Sequence, residues 1–150
     1  MTIEDVIKSS VTLNPHVKTV LNIVYSGRLV EERIAEALKP YDLSPQQYNV
    51  LRILRGQKGK PANLSTIQER MISKMSNTTR LVDKLLAKGF VERNICEINR
   101  RKVEIIITPS GLALLETLDP QLLTTNQTIL KDFSMQELDS INKILDKLKQ

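Results

Sequence analysis

The middle of the chain holds a group of closely spaced polar side chains: Ser76, Asn77, Thr79 and Arg80. In a helix these side chains share one face, because positions three and four apart lie side by side. Such a face can read DNA bases, since arginine forms two hydrogen bonds with guanine, asparagine forms two with adenine, and hydroxyl groups contact bases or phosphates. The alternative is an ordinary amphipathic surface helix whose serine and asparagine cap its first turn. The neighbouring elements must decide between these interpretations.

Other chemistry has little support in the residue types present. The chain has one histidine, His16, and one cysteine, Cys96, so a zinc cluster of Cys and His ligands cannot be assembled within it. His16 lies in a helical stretch with no nucleophile motif beside it, which argues against a hydrolytic triad. Glycine-rich phosphate-binding loops and a His-Glu-x-x-His motif are missing. We therefore expect a protein that is not an enzyme and that binds neither a metal nor a cofactor.

Positive charge is concentrated in the same part of the chain. Residues 52–104 contain 13 Lys and Arg and 5 Asp and Glu, a net charge of +8, whereas the remainder has 9 basic and 12 acidic residues, a net charge of −3. A basic segment between such flanks favours contact with a polyanion, although a solvated helical surface is the alternative. The side chains expected to meet phosphates are Lys74, Lys84, Arg100 and Lys102.

Local signals predict the elements that must position these residues. Apolar residues at helical spacing predict a long helix over residues 14–38, which begins with Asn14 as its cap and ends before Pro40. Ser44 and Gln47 have the spacing of a capping box at the start of another helix. The further predicted helices cover residues 63–71, 75–88 and 134–148, with one more from residue 108 that we expect Pro120 to break or kink.

Past Gly89 the pattern changes to short β-branched runs. Residues 90–93 and 102–107 predict two strands, with the polar stretch 94–101 as the tip of a hairpin. A helix, a short helix, a turn, a further helix and a basic hairpin, in that order, are typical of a winged helix-turn-helix. We therefore predict a mainly α protein with a small β-hairpin wing. In this fold the helix predicted over residues 75–88 would enter the major groove of double-stranded DNA.

Three linked stretches resemble the core signature of the MarR-type transcriptional regulators. They are residues 79–93 (TRLVDKLLAKGFVER), residues 99–101 (NRR) and residues 107–111 (ITPSG). The resemblance is strong over roughly residues 44–115 and extends to the layout of the flanking helices. It implies a homodimeric winged-helix protein that binds a palindromic operator. In many members a small anionic or phenolic ligand binds between the DNA-binding and dimerisation regions and releases repression.

The wing departs from the family pattern. The family usually carries Asp-x-Arg at its tip, where the aspartate orients an arginine that enters the minor groove, and here the matching residues begin with Asn99. Asn99 can still accept a hydrogen bond from the guanidinium of Arg101, which we expect to enter the minor groove. Cys96 stands where the family more often has an Asp-Pro turn, and oxidation of this thiol is a minor alternative for regulation. The alternative to minor-groove insertion is a solvated hairpin tip.

Specific binding to DNA predicts a dimer, because one recognition helix contacts too few base pairs to discriminate among genomic sites. The apolar stripes of the outer helices exceed what a small winged helix needs to cover itself, although packing within one chain is the alternative. We expect one domain over residues 1–150, with a DNA-binding region at 44–108 and dimerisation helices at 1–40 and 109–150. Polar side chains near their junction, His16, Tyr25 and Tyr48, are candidate contacts for an effector.

The remaining expectations concern location and the competing functions. The N-terminus lacks the form of a signal peptide, the apolar runs are three or four residues long, and the single cysteine suits a reducing compartment. We therefore expect a cytoplasmic protein without a membrane partner. The leading hypothesis is a sequence-specific, ligand-responsive repressor. The alternatives are a non-specific architectural DNA-binding protein and a protein-interaction domain that has lost nucleic-acid binding.

Overall fold

The computed structural model describes residues 1–150 and has seven α-helices and one β-hairpin. This architecture confirms the predicted class, mainly α with a hairpin wing. In chain order the elements are α1 (Ile3–Ile7), α2 (Pro15–Leu38), α3 (Pro45–Gly56), α4 (Leu64–Arg70), α5 (Thr78–Ala87), β1 (Val91–Ile95), β2 (Val103–Ile107), α6 (Pro109–Ile129) and α7 (Met135–Asp146). No helix combines the length and apolar character needed to cross a membrane.

The caps predicted from sequence are formed. Asn14 accepts a hydrogen bond from the backbone N–H of His16 at the start of α2. Ser44 and Gln47 bond reciprocally at 3.1 and 3.2 Å, which satisfies two backbone donors of α3 that have no partner within the helix. These contacts span only two or three residues, so the sequence pattern is sufficient to locate them.

The helix predicted over residues 75–88 begins later than expected. Asn77 has an extended backbone and is the N-cap, accepting a hydrogen bond from the N–H of Arg80 at 3.1 Å, so α5 starts at Thr78. The helical reading of Met75 and Ser76 was therefore wrong. An asparagine at a cap position competes with the helix for backbone hydrogen bonds, and here it ends the preceding turn.

Pro120 does not break α6, so the first of the two outcomes expected from sequence, a break or a kink, does not occur. The helix is continuous from Pro109 to Ile129 with the proline inside it. Proline cannot donate the usual backbone hydrogen bond, which disfavours a helix at this point. Leu118 and Leu122 on either side are buried against the core, and this packing holds the two halves of α6 in one helix.

The wing is a two-stranded antiparallel hairpin with an additional bridge. Val91 pairs with Ile107 at the base and Ile95 with Val103 near the tip. Ala62, before α4, exchanges two backbone hydrogen bonds with Ile105, at 2.9 and 2.7 Å. The bridge fixes the middle of β2 to the segment before α4.

A single cluster of 16 buried apolar residues joins the C-terminal end of α2 to α3, α4, α5, the hairpin and the buried face of α6 as far as Leu122. Val82 and Leu85 on α5 belong to this cluster, so the position of α5 is set by the core. The helix α7 has no buried residue, and most of α2 is exposed. The chain therefore consists of a packed centre with long, partly uncovered outer helices.

Candidate nucleic-acid interface

The outward face of α5 carries polar and basic side chains. Thr79, Arg80 and Lys84 are exposed, whereas Val82 and Leu85 on the opposite face are buried. This amphipathic division leaves the polar face free while the apolar face anchors the helix. The arrangement has the form that entry into a major groove requires.

Two of the predicted base-reading residues lie before α5 rather than on it. Ser76 is half-buried in the preceding turn. Asn77 is exposed, but its side-chain oxygen is engaged by the backbone N–H of Arg80. The amide nitrogen of Asn77 has no partner in the structure and can donate outward. The structure thus brings Thr79, Arg80 and Lys84 onto one surface and places Ser76 at its margin.

Two polar residues that sequence reasoning missed hold the turn before α5. Gln68 on α4 donates to the backbone oxygen of Lys74 at 2.7 Å and accepts from the hydroxyl of Thr78. Asn49 on α3 accepts from the backbone N–H of Ile72 at 2.9 Å. No local sequence pattern predicted these contacts, because each side chain bonds to residues outside its own helix. They are positioning residues for the N-terminal end of α5.

Lys74, expected to meet phosphate, is partly engaged within the chain. Its ammonium donates to the backbone oxygen of Glu69, at the end of α4. The side chain is nevertheless exposed and lies in the turn that precedes the outward face of α5. A phosphate contact by Lys74 would therefore have to replace or share this hydrogen bond.

Ion pairs join the middle of α5 and the residue after its C-terminal end to neighbouring elements. Asp83 pairs with Arg93 on β1 at 3.1 Å, which sets the wing relative to the helix. Lys88, just after α5, donates to the backbone oxygen of Asp42 in the turn before α3 and lies 3.5 Å from its carboxylate. The first contact links α5 to the wing, and the second links its C-terminal end to the turn before α3.

The tip of the wing presents its cations to solvent. Arg100, Arg101 and Lys102 are exposed, and Cys96 is half-buried. Asn99 accepts a hydrogen bond from the backbone N–H of Arg101 at 3.1 Å, not from the guanidinium group as the family comparison suggested. Asn99 therefore shapes the turn, and the Arg101 side chain is exposed.

The three candidate effector residues do not come together. His16 and Tyr25 are exposed on α2, with the His16 ring 3.3 Å from its own cap residue Asn14. Tyr48 is half-buried on α3 and lines an open groove of about 510 Å³ between α2, α3, α6 and the turn before α5. Arg52 lines the same groove, with its guanidinium 5.9 Å from the centre of the Tyr48 ring.

A polar cluster beside this groove joins α3 to α6. Arg55 donates to Asp119 at 2.5 Å, and the Tyr48 hydroxyl donates to the same carboxylate at 3.3 Å. The hydrogen bond from Arg55 is the main reason that the pKa of Asp119 lies below its usual value. Burial is the main reason that the pKa of Tyr48 is raised. The cluster is a direct polar connection between α3 and α6.

The helix-turn-helix with its basic wing defines a winged-helix DNA-binding protein. The family model described as the MarR family matches residues 43–103. The HTH-type transcriptional regulator YdgG of Bacillus subtilis, described as uncharacterized, is 35% identical over 111 residues, covering 71% of this chain and 70% of that protein. PecS of Dickeya dadantii is 28% identical over 125 residues, covering 81% and 74%. The chain belongs to the MarR family of transcriptional regulators, and this family does not consist of enzymes.

Solved structures share the fold at lower identity. A putative MarR-like regulator from Bacillus cereus aligns with a TM-score of 0.80 at 22% identity, covering 89% of this chain and 95% of that one. A mutant of Escherichia coli MarR complexed with operator DNA aligns with a TM-score of 0.76 at 23% identity, covering 84% and 89%. Bordetella bronchiseptica BpsR, whose DNA binding is regulated by 6-hydroxynicotinic acid, has a TM-score of 0.76 at 20% identity, covering 85% and 96%.

Proposed function

We propose that this protein is a ligand-responsive repressor that binds a palindromic operator as a homodimer. The observation that carries the proposal is the exposed polar face of α5, held by the core beside a basic wing. We assign Thr79 and Arg80 to the major groove, with Ser76 and Asn77 at the edge of the same contact. The proposed phosphate contacts are Lys74, Lys84, Arg100 and Lys102, and the proposed minor-groove contacts are Asn99 and Arg101.

The dimer proposal rests on apolar surface that one chain leaves uncovered. Ile141 and Ile144 on α7, and Leu148 in the 3-10 turn that follows it (Lys147–Lys149), have helical spacing and are 36%, 61% and 68% exposed. On α2, Val20 and Val24 are 59% and 57% exposed. We accordingly assign residues 44–108 to DNA binding and residues 1–40 and 109–150 to dimerisation, all within one domain. A two-fold dimer then requires half-sites about 10 base pairs apart.

The groove beside Tyr48 is the site that best suits an effector. Its lining combines apolar residues such as Val30 and Leu122 with the hydroxyl of Tyr48 and the cation of Arg52. This combination suits a small aromatic compound with a carboxylate or phenol group. A more open depression of about 840 Å³ near the end of α2 is lined mostly by charged and polar residues and suits such a compound less well. His16 and Tyr25 lie outside the groove lining, so we assign them no contact.

Selection from a random pool tests the main proposal. The full-length protein is incubated with random duplexes of about 30 base pairs, which can hold two half-sites and their flanks. We expect enrichment of an inverted repeat and binding that resists a large excess of unrelated duplex. Equal binding to selected and unrelated duplexes would instead support the non-specific architectural alternative.

The ligand response is tested on the complex with the selected duplex. Hydroxybenzoates added to this complex should weaken operator binding, and Arg52→Ala should reduce that effect.

A further inference from the structure

An apolar side chain stands at the tip of the wing among cations. Ile98 is 98% exposed and lies between β1 and β2, at the end of the hairpin away from the buried base. Residues 96–102 contain three basic residues and one acidic residue. Single exposed apolar side chains are common on proteins. The residues around this one are those proposed to meet a negatively charged duplex.

The tip is an ordered turn. The N–H of Cys96 donates to the backbone oxygen of Lys102 at 3.0 Å, and the N–H of Lys102 donates to the backbone oxygen of Asn99 at 2.9 Å. The side chain of Asn99 closes the same turn through the N–H of Arg101. Ile98 is therefore presented from a hydrogen-bonded frame, and its insertion into a partner would cost less ordering entropy than that of a residue in a flexible loop.

We propose that Ile98 is a wedge residue that enters the minor groove beside Arg101 and partly separates two stacked base pairs. The inference rests on the proposed function, because it requires the wing to lie on DNA. Apolar side chains inserted in this way kink the duplex, and the cost is lowest at pyrimidine–purine steps, which unstack most easily. Ile98 then adds a preference for flexible steps outside the bases that α5 contacts.

Ile95 provides a matched comparison on the same hairpin. Ile95 lies three residues before Ile98 and is 66% exposed. Unlike Ile98, it belongs to β1 and pairs with Val103. Truncating either isoleucine removes the same atoms and no charge. If any exposed apolar surface on the wing were sufficient to unstack the bases, truncating either isoleucine would have the same effect. If insertion at the tip is required, only truncation of Ile98 will abolish unstacking and weaken operator binding.

The test uses the full-length protein and the duplex recovered by selection, with 2-aminopurine placed in turn at each flanking base step. Its fluorescence rises when a neighbouring base unstacks. Affinity and its salt dependence are measured for the wild type, Ile98→Ala, Ile98→Leu, Ile95→Ala and Arg101→Ala. Thermal unfolding of each variant controls for loss of structure.

We expect the wild type and Ile98→Leu to raise the fluorescence at one step in each flank. Ile98→Ala should abolish this rise and bind about 5- to 20-fold more weakly, with an unchanged salt dependence because no charge is lost. Ile95→Ala should keep the rise. Arg101→Ala should weaken binding and flatten the salt dependence.

The outcomes separate the wedge from the proposed function. If the wild type produces no fluorescence change, or Ile98→Ala keeps it, the wedge is overturned even when Arg101→Ala weakens binding. If Ile98→Ala and Ile95→Ala lose the signal equally, insertion at the tip is overturned as well. If selection enriches no duplex, the proposed function fails, and the wedge fails with it.

Discussion

At the scale of single residues, Arg80 and Lys84 share the exposed face of α5 but differ in what they can recognise. A guanidinium can form two directed hydrogen bonds with a guanine, whereas an ammonium acts as a point charge on phosphate. Arg80→Ala should therefore cost about 1–3 kcal/mol of binding free energy per half-site and relax the preference at one base pair of each half-site. Lys84→Ala should weaken binding to all duplexes alike and reduce the salt slope by about 1 per half-site.

Titrations of the selected operator and its single-base variants at several salt concentrations measure both effects. Lys131→Ala is the charge-matched control, since Lys131 is exposed in the turn after α6 and lies outside the proposed interface. An Arg80→Ala variant with unchanged affinity and base preference would show that another surface reads the operator.

Asp119 should contribute a pH-dependent part of the stability. Arg55 holds its pKa below the usual value, so the folded chain binds the proton less well than the unfolded chain. The contribution is present above the unfolded-state pKa of about 3.9 and is lost as pH falls through the lower folded pKa. Asp119→Asn should reduce the free energy of unfolding near neutral pH. The difference in this free energy between the variant and the wild type should become smaller in acid.

Urea unfolding from pH 7 down to about pH 2 measures this difference at a fixed protein concentration. The magnitude should be modest, about 1 kcal/mol or less, because both partners are partly exposed. Asp132→Asn is the control, since Asp132 is exposed after α6 and has no ion pair or side-chain hydrogen bond in the structure. A difference from the wild type that does not shrink in acid would contradict the assignment.

At the scale of elements, the contact between α6 and the wing depends on one glycine. Gly111 is buried in the first turn of α6, and a Cβ there would overlap the backbone oxygen of Phe90 and come within 2.7 Å of Ile107 Cγ1. Backbone cannot yield as a flexible side chain does, so Gly111→Ala should destabilise the protein by about 1–3 kcal/mol.

Thermal and urea unfolding check this value against Gly56→Ala. A Cβ at Gly56, in the last turn of α3, would have open space around it. That variant should be neutral or slightly more stable, because alanine favours the helix more than glycine does. Equal stability of Gly111→Ala and the wild type would mean that α6 can move away from the wing without cost.

At the scale of the whole molecule, the apolar face of α7 should hold two chains together. Ile144→Asp places a charge on that face and should shift the protein towards monomer at micromolar concentration, because burying an unpaired carboxylate is costly. Operator binding should fall in parallel, since a monomer presents one half of the contacts. Sedimentation equilibrium measures the association.

Asn142→Asp is the control, because it adds the same charge on the opposite side of α7, and this variant should remain dimeric. A stable wild-type monomer would overturn the dimer proposal.

The sequence by itself determined the features that depend on near neighbours. The start of α2 after Asn14, the capping box at Ser44 and the change to β-branched residues after Gly89 all rest on contacts within a few residues, so their patterns are visible in the chain. The outward position of Arg80 and Lys84 followed from the same helical periodicity. These signals were sufficient for the winged-helix class and for most element boundaries.

Tertiary structure decided what depends on distant partners. Gln68 and Asn49 hold the turn before α5 through backbone groups in other elements, and Arg55 meets Asp119 across 64 positions of sequence. Pro120 stays within α6 because buried leucines on both sides outweigh its local preference. Such contacts have no local sequence pattern. They are stabilised by packing between elements, and the order of residues does not show which elements are adjacent.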